Sequence, residues 1–106
     1  MRDIRWSEPE KKLSRHVFQS ALQAELTDIM MKFKVMASAA TTPDEMWAVR
    51  DFLEQAQREI EQKYDYRYSQ LILVFGRLVR EGRIAEEQLR GLSEEKLSYI
   101  RRIVSL

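Results

Sequence analysis

The chain contains no cysteine. That excludes a disulfide framework and a thiolate metal site. Glycine occurs 3 times and proline 2 times in 106 residues, too few turn-formers for a chain of many short strands. There is a single histidine, His16, so no pair of imidazoles exists to hold a metal, and a lone histidine on a helix surface reads as solvated. No apolar run approaches the roughly 20 residues needed to span a bilayer. The first residues, Met1-Arg2-Asp3-Ile4-Arg5, lack the apolar core of a signal peptide. The chain is therefore read as cytoplasmic, with no membrane span. Nor does one sign of charge dominate. Lys+Arg number 18 and Asp+Glu 17, interspersed along the chain, whereas a nucleic-acid binder clusters a basic excess.

What the sequence does have is helical patterning and charge. Charged residues make up 33%, which suits long solvated helix faces. Ser7-Glu8-Pro9-Glu10 reads as a capping box with proline in the first turn, where its missing N–H does no harm. Leu13, Val17, Leu22, Leu26, Ile29, Met30, Phe33 and Met36 follow at steps of mostly three and four, the helical period sustained for about seven turns and fading at Ala37–Ala40. Thr42-Pro43-Asp44-Glu45 starts a second helix with a cap, a proline at the first position and acids on the positive end of the dipole. Its stripe is Met46, Val49, Leu53, Ala56 and Ile60. The short connection folds the second helix back antiparallel on the first.

Tyr64-Asp65-Tyr66-Arg67-Tyr68 is a kink or a continuation, its tyrosines read as packing rather than as a stacking platform. Leu71, Phe75, Leu78 and Val79 keep the helical step, so the apolar run 71–75 is read as helix rather than strand. Gly82 is the stop after it. A short helix over Ala85–Arg90 and a last one capped by Ser93, with Leu97, Ile100, Ile103 and Val104 on one side, complete the chain. The fold class is all-α in a single domain, 1–106: a long antiparallel hairpin stem over 8–63 and a small helical head over 64–106. A domain this small is marginal without staples, and a two-helix hairpin cannot cover its own stripe. Two hairpins packed as four helices would cover it, so a homodimer is expected. Met30-Met31 is read as core filler.

One placement on the second helix is not explained by packing. With Met46 at zero and each residue turning the helix by about 100°, the stripe centres near 310° and Trp47 falls roughly 150° from it. Asp51, Glu54 and Arg58 share the Trp47 face. Arg50 lies at its edge and Gln57 beyond. An exposed tryptophan flanked by acid and arginine is the composition of a protein-binding hot spot. The bland alternative is that Trp47 packs under the head or a second subunit while Glu54 and Arg58 form an ordinary surface pair. No nucleophile–base arrangement is recognisable, and the arginines do not converge on one inward face as a helical mutase would need, so no enzyme and no cofactor are expected. Acidic Glu86-Glu87 and Glu94-Glu95 at the starts of the last helices argue against phosphate contact, and Arg101-Arg102 is read as complementing a helix C-terminus.

From Asp44 onward the chain resembles the fluorescence recovery proteins of cyanobacteria. The matching blocks are Met46-Trp47-Ala48-Val49-Arg50-Asp51-Phe52-Leu53, Glu59-Ile60-Glu61-Gln62-Lys63-Tyr64-Asp65-Tyr66-Arg67 and Val74-Phe75-Gly76-Arg77-Leu78-Val79-Arg80-Glu81-Gly82. The resemblance implies an all-helical dimer with a hairpin stem and a helical head. It implies binding to the C-terminal domain of the light-activated orange carotenoid protein, faster detachment of that protein from the phycobilisome and faster return to its resting form. It also places Trp47 and Asp51 in the binding surface, on the face derived above. The chain departs from the family elsewhere. Gln57 stands where the family has an important arginine, with Arg58 one residue later and turned by about 100°. Arg50 replaces a histidine of some members, Leu73 a head phenylalanine and Tyr99 a lysine. A relative that binds a different protein, in a bacterium without that antenna, would show such departures.

Overall fold

The computed structural model describes residues 4–106, and every regular element among them is helical: α1 Glu8–Ala39, α2 Pro43–Lys63, α3 Leu71–Arg80, the 3-10 turn Glu86–Leu89, and α4 Glu94–Val104. The signal-peptide reading rests partly on Met1-Arg2-Asp3, which lie outside the described residues. Short-range chemistry sets the helix ends. At α1 the capping box is complete: the Ser7 N–H donates to the Glu10 carboxylate at 3.0 Å and the Glu10 N–H to Ser7 Oγ at 3.3 Å. The Glu45 N–H donates to Thr42 Oγ1 at 3.2 Å, and the Lys96 N–H to Ser93 Oγ at 3.2 Å. α3 ends in a Schellman turn. Gly82 takes φ +74°, its N–H donates to the Val79 carbonyl, and the Arg83 N–H reaches back to the Leu78 carbonyl at 2.8 Å.

The 32 residues of α1 make a rod about 48 Å long, and this sets the shape. The molecule measures 53 × 22 × 22 Å with a radius of gyration of 16.9 Å, against about 13 Å for an ordinary globule of this length. α2 runs back along the second half of α1. Lys63 meets Glu25 at one end, and Lys32 sits over the Phe52 ring further along, 5.0 Å from its centroid.

The seam differs from the predicted stripe. Val49, Ala56 and Lys63 are the buried residues of α2, while Met46 is exposed at 50% and Leu53 at 37%. The helix is rolled so that one flank of its stripe faces outward. Met30 and Met31 are likewise exposed rather than filling a core, because one partner helix is too narrow to cover the apolar face that α1 presents.

The core lies at the other end. Val17, Phe18 and Ala21 from the first half of α1 pack with Trp6, Leu71, Ile72, Phe75, Leu78, Ile84, Leu89, Leu92 and Ile100. The C-terminal helices thus complete their core with α1 itself. α3 and α4 approach so closely that a Cβ at Gly76 would stand 2.5 Å from Ile103 Cγ2, a contact that only glycine permits.

The segment after α2 is neither kink nor continuation. The helix stops at Lys63, and alternating residues of 64–68 serve different sides. Tyr64, Tyr66 and Tyr68 lie against α1, joined through Phe18 and Trp6 in a run of edge and tilted contacts with centroids 4.8–5.8 Å apart. Outside, Asp65 and Arg67 pair with each other. A period of two is that of extended chain, and it makes this segment a strap along α1. The short helix expected over Ala85–Arg90 is instead a single 3-10 turn, Glu86–Leu89. Arg101 ties that turn to α4 through Glu86 and Glu94, each at 2.9 Å.

Candidate functional site

Trp47 stands in the second turn of α2 and is 49% exposed. The residues that start the helix also orient it. With Thr42 as cap and Pro43 at the first position, Trp47, Asp51 and Glu54 rise along one side of the helix, spaced i, i+4 and i+7. Arg50 is what gathers them. Its guanidinium lies over the indole, 5.2 Å from the ring centroid. Its Nη2 is 3.3 Å from Asp51 Oδ1 and its Nε 3.9 Å from Glu54 Oε1. A residue read from the sequence as an edge position is therefore the centre of the cluster. One arginine hydrogen-bonds one carboxylate, stands within ion-pair distance of a second and covers one aromatic face.

The other two candidates point elsewhere. Arg58 Nη2 donates to Gln55 Oε1 at 3.2 Å and does not join the tryptophan cluster. Gln57 lies on the rim of a groove of about 440 Å³ between α1 and α2, lined also by Leu26, Ile29, Leu53, Ala56, Ile60 and Glu61. Six candidates thus divide into a cluster of four, one rim residue and one residue with a separate partner. The groove explains the exposed Leu53: it and Ile60 line one wall, Leu26 and Ile29 belong to the other helix, and nothing in the single chain fills the space between.

Sequence reasoning did not find the two charge clusters that tie α1 to the later elements, one around Lys63 and one around Lys96. Lys63 Nζ bonds Glu25 at 2.6 Å and Glu81 at 2.7 Å. The Tyr64 hydroxyl donates to Glu25 at 2.8 Å, and Arg83 reaches Asp28 at 2.6 Å and Glu25 at 3.4 Å. Burial pushes the Tyr64 hydroxyl well above the usual phenol range, and its bond to the Glu25 carboxylate pushes it further. At the opposite end of the core, Lys96 Nζ donates to the Arg5 carbonyl at 2.7 Å and to Glu10 Oε1 at 3.1 Å. Glu10 also accepts the Ser93 N–H at 2.8 Å. The capping-box glutamate of α1 therefore also holds the N-cap residue of α4. Burial would raise the Glu10 carboxyl, but the Ser7 and Ser93 amides and the Lys96 ammonium outweigh it and hold it below its ordinary value. Only separation in sequence hid these roles, since the cross-links join residues 18 or more positions apart.

Among the described residues no group of His, Cys, Asp or Glu is placed to hold a metal, and no helix is long and apolar enough to cross a membrane. The surface offers instead a polar-rimmed tryptophan and, on another side of the same helix, an apolar groove, which suits contact with protein.

Comparison with known proteins shows the family and the fold. The family described as photoprotection regulator fluorescence recovery protein matches residues 6–104. The fluorescence recovery protein of Synechocystis sp. is 36% identical over 101 residues, covering 95% of this chain and 93% of that protein. The solved structure of the Fremyella diplosiphon fluorescence recovery protein superposes with a TM-score of 0.92 at 29% identity, over 96% of this chain and 100% of that one. The Synechocystis sp. PCC 6803 structure does so with 0.91 at 35% identity, over the same shares.

Proposed function

Because the chain belongs to the fluorescence recovery protein family, a family of photoprotection regulators, we propose that it is a non-enzymatic cytoplasmic homodimer acting on the orange carotenoid protein. It binds the light-activated form, chiefly through that protein's C-terminal domain, and hastens its return to the resting form, which ends quenching at the phycobilisome. No bond is made or broken in the partner. A protein that binds two states of another with different affinity shifts their balance by that difference alone.

The observation that carries this reading is the Trp47–Arg50–Asp51–Glu54 cluster on an exposed helix face. The free chain already holds the arginine against the indole and both carboxylates, so little side-chain freedom is lost when a partner covers them. The decisive experiment follows the dark recovery of photoactivated orange carotenoid protein by absorbance. Wild-type chain is expected to accelerate it. Trp47→Ala and Asp51→Leu each are expected to weaken binding by about 1–3 kcal/mol, about 5- to 150-fold, with the helical circular dichroism unchanged. Wild-type recovery rates with both variants would overturn the assignment of this face. No acceleration by the wild type would favour a different protein partner, the reading supported by Gln57 on the groove rim and by Leu73, exposed where the family carries phenylalanine.

The hairpin stem supplies the dimer seam in this reading. Leu26, Ile29, Leu53 and Ile60 line an apolar groove with no occupant in the chain, and Met30, Val35 and Met46 stand exposed on α1 and α2. A second copy would cover such a face. Leu53→Glu keeps a good helix former but would place an unpaired charge in the seam, which several kcal/mol of desolvation oppose. Sedimentation velocity is expected to show a monomer for this variant and a dimer for the wild type. A dimer for both would move the seam to another face.

A further inference from the structure

At the end of α1 remote from the tryptophan, a cleft of about 510 Å³ is lined by Glu8, Lys11, Lys12, Arg15, His16, Gln19 and Tyr68. We propose that it is a second interaction surface, one that takes an acidic segment of a protein partner. Three lines of observation support the assignment.

The first is charge. Within six residues the cleft gathers Lys11, Lys12, Arg15 and His16 against one carboxylate, Glu8, and that carboxylate is already bonded to Lys11 at 3.3 Å. No carboxylate of the described residues pairs with Lys12, Arg15 or His16. In a chain whose Lys+Arg and Asp+Glu counts are nearly equal, this is a local imbalance, and complementary charge is what it would attract.

The second is fixation. The tyrosine strap holds two of the cations in place. The Arg15 guanidinium lies 4.4 Å from the Tyr66 centroid and Lys11 Nζ 5.4 Å from that of Tyr68. The Tyr66 hydroxyl in turn donates to the Lys11 carbonyl at 3.3 Å. Behind them, Ser14, Val17 and Phe18 bury the opposite side of the helix. These side chains are ordered before any partner arrives, which lowers the entropy lost on binding.

The third is shape. Lys12, Arg15, His16 and Gln19 are spaced i, i+3, i+4 and i+7 on one helix face and extend over about 10 Å. On this row the cations Lys12 and Arg15 are followed by the side-chain donors of His16 and Gln19, a series that matches successive acidic side chains of an extended chain better than one phosphate. A nucleic-acid strand fits less well. Both tyrosine rings already carry a cation over one face, so they make a poor stacking platform for bases.

The surface is separate from the Trp47 face, because about 36 Å of α1 lies between Arg15 and the helix end where α2 begins, so the two readings fail separately. The test is fluorescence anisotropy of a short fluorescein-labelled polyglutamate peptide with the full chain at low salt. Lys12→Glu/Arg15→Glu is compared with Lys34→Glu/Arg90→Glu, which changes net charge equally at exposed positions outside the cleft. Helical circular dichroism checks that both fold. The wild type and the control are expected to bind, and the cleft variant to bind at least about tenfold more weakly. Absence of binding by the wild type would overturn the proposal. So would equal weakening in the two double variants, which would make net charge the cause. So would tighter binding of an oligothymidine probe that the cleft variant abolishes, which would make this a nucleic-acid surface.

Discussion

Replacing Glu10 with alanine is expected to destabilise the fold by about 3–5 kcal/mol, the cost of leaving one member of a buried ion pair alone. Lys96 is 4% exposed, and without Glu10 its ammonium keeps only the Arg5 carbonyl among its bonds. The same substitution removes the acceptor for the Ser7 N–H and for the Ser93 N–H. One side chain therefore serves the start of α1, the start of α4 and the charge between them. A domain of this size is stable by only about 5–15 kcal/mol, so the loss is a large fraction of the whole. Thermal unfolding followed by circular dichroism at fixed protein concentration should show a midpoint lower by more than about 10 °C. A midpoint within about 2 °C of wild type would mean that water replaces the carboxylate.

Acid provides a check on the same group. The Glu10 carboxyl is held below its ordinary value because its bonds outweigh burial, and Glu81 is held down likewise by Lys63 and Arg77. A carboxyl whose folded pKa is depressed contributes stability that is fully present above its unfolded pKa and is lost as pH falls through the folded one. The wild-type midpoint should hold above the unfolded value of 4.5 and decline below it, more steeply than in Glu10→Ala, which has no carboxyl at that position to protonate.

Lys63→Ala is the second large effect. Its side chain is 5% exposed between Glu25 and Glu81, at the point where α2 ends and the strap begins. The cost should fall at or somewhat below the lower end of about 3–5 kcal/mol, because Arg83 still faces Glu25 and Arg77 still holds Glu81 at 2.8 Å. The loss should also be localised. Hydrogen exchange is expected to quicken most at the end of α2, in the strap and at the end of α3, while amides near Thr42 keep their protection. Uniform acceleration along the whole of α1 and α2 would show instead that Lys63 holds the two helices together over their full length.

The sequence pattern showed where α1, α2 and α4 begin and where α3 ends, and the reason is local. Ser7, Thr42 and Ser93 cap amides three residues away, and Gly82 closes a turn within the chain's own last carbonyls. The helical step that marked Leu71, Phe75 and Leu78 reflects a backbone period, so it identifies the apolar face whatever lies opposite. Trp47, Asp51 and Glu54 share a side of α2 for the same geometric reason. The strap was half legible: Tyr64, Tyr66 and Tyr68 alternate with Asp65 and Arg67, but five residues are too few to separate a period of two from a helical one. What the sequence could not state is which charges are buried. Lys63 and Lys96 continue the apolar rows of α2 and α4, but their charge reads as solvated, and they are internal only because Glu25, Glu81 and Glu10 arrive from 18 to 86 positions away. The roll of α2 that buries Val49 and Ala56 and turns Leu53 outward has the same origin. It depends on the shape of the α1 surface beneath, which no local pattern encodes. Sequence alone thus determined the helices, their caps and the composition of the tryptophan face. The tertiary structure decided that Arg50 is its centre, that Arg58 is not part of it, and that an open groove runs between α1 and α2, because those are matters of which side chains meet in space.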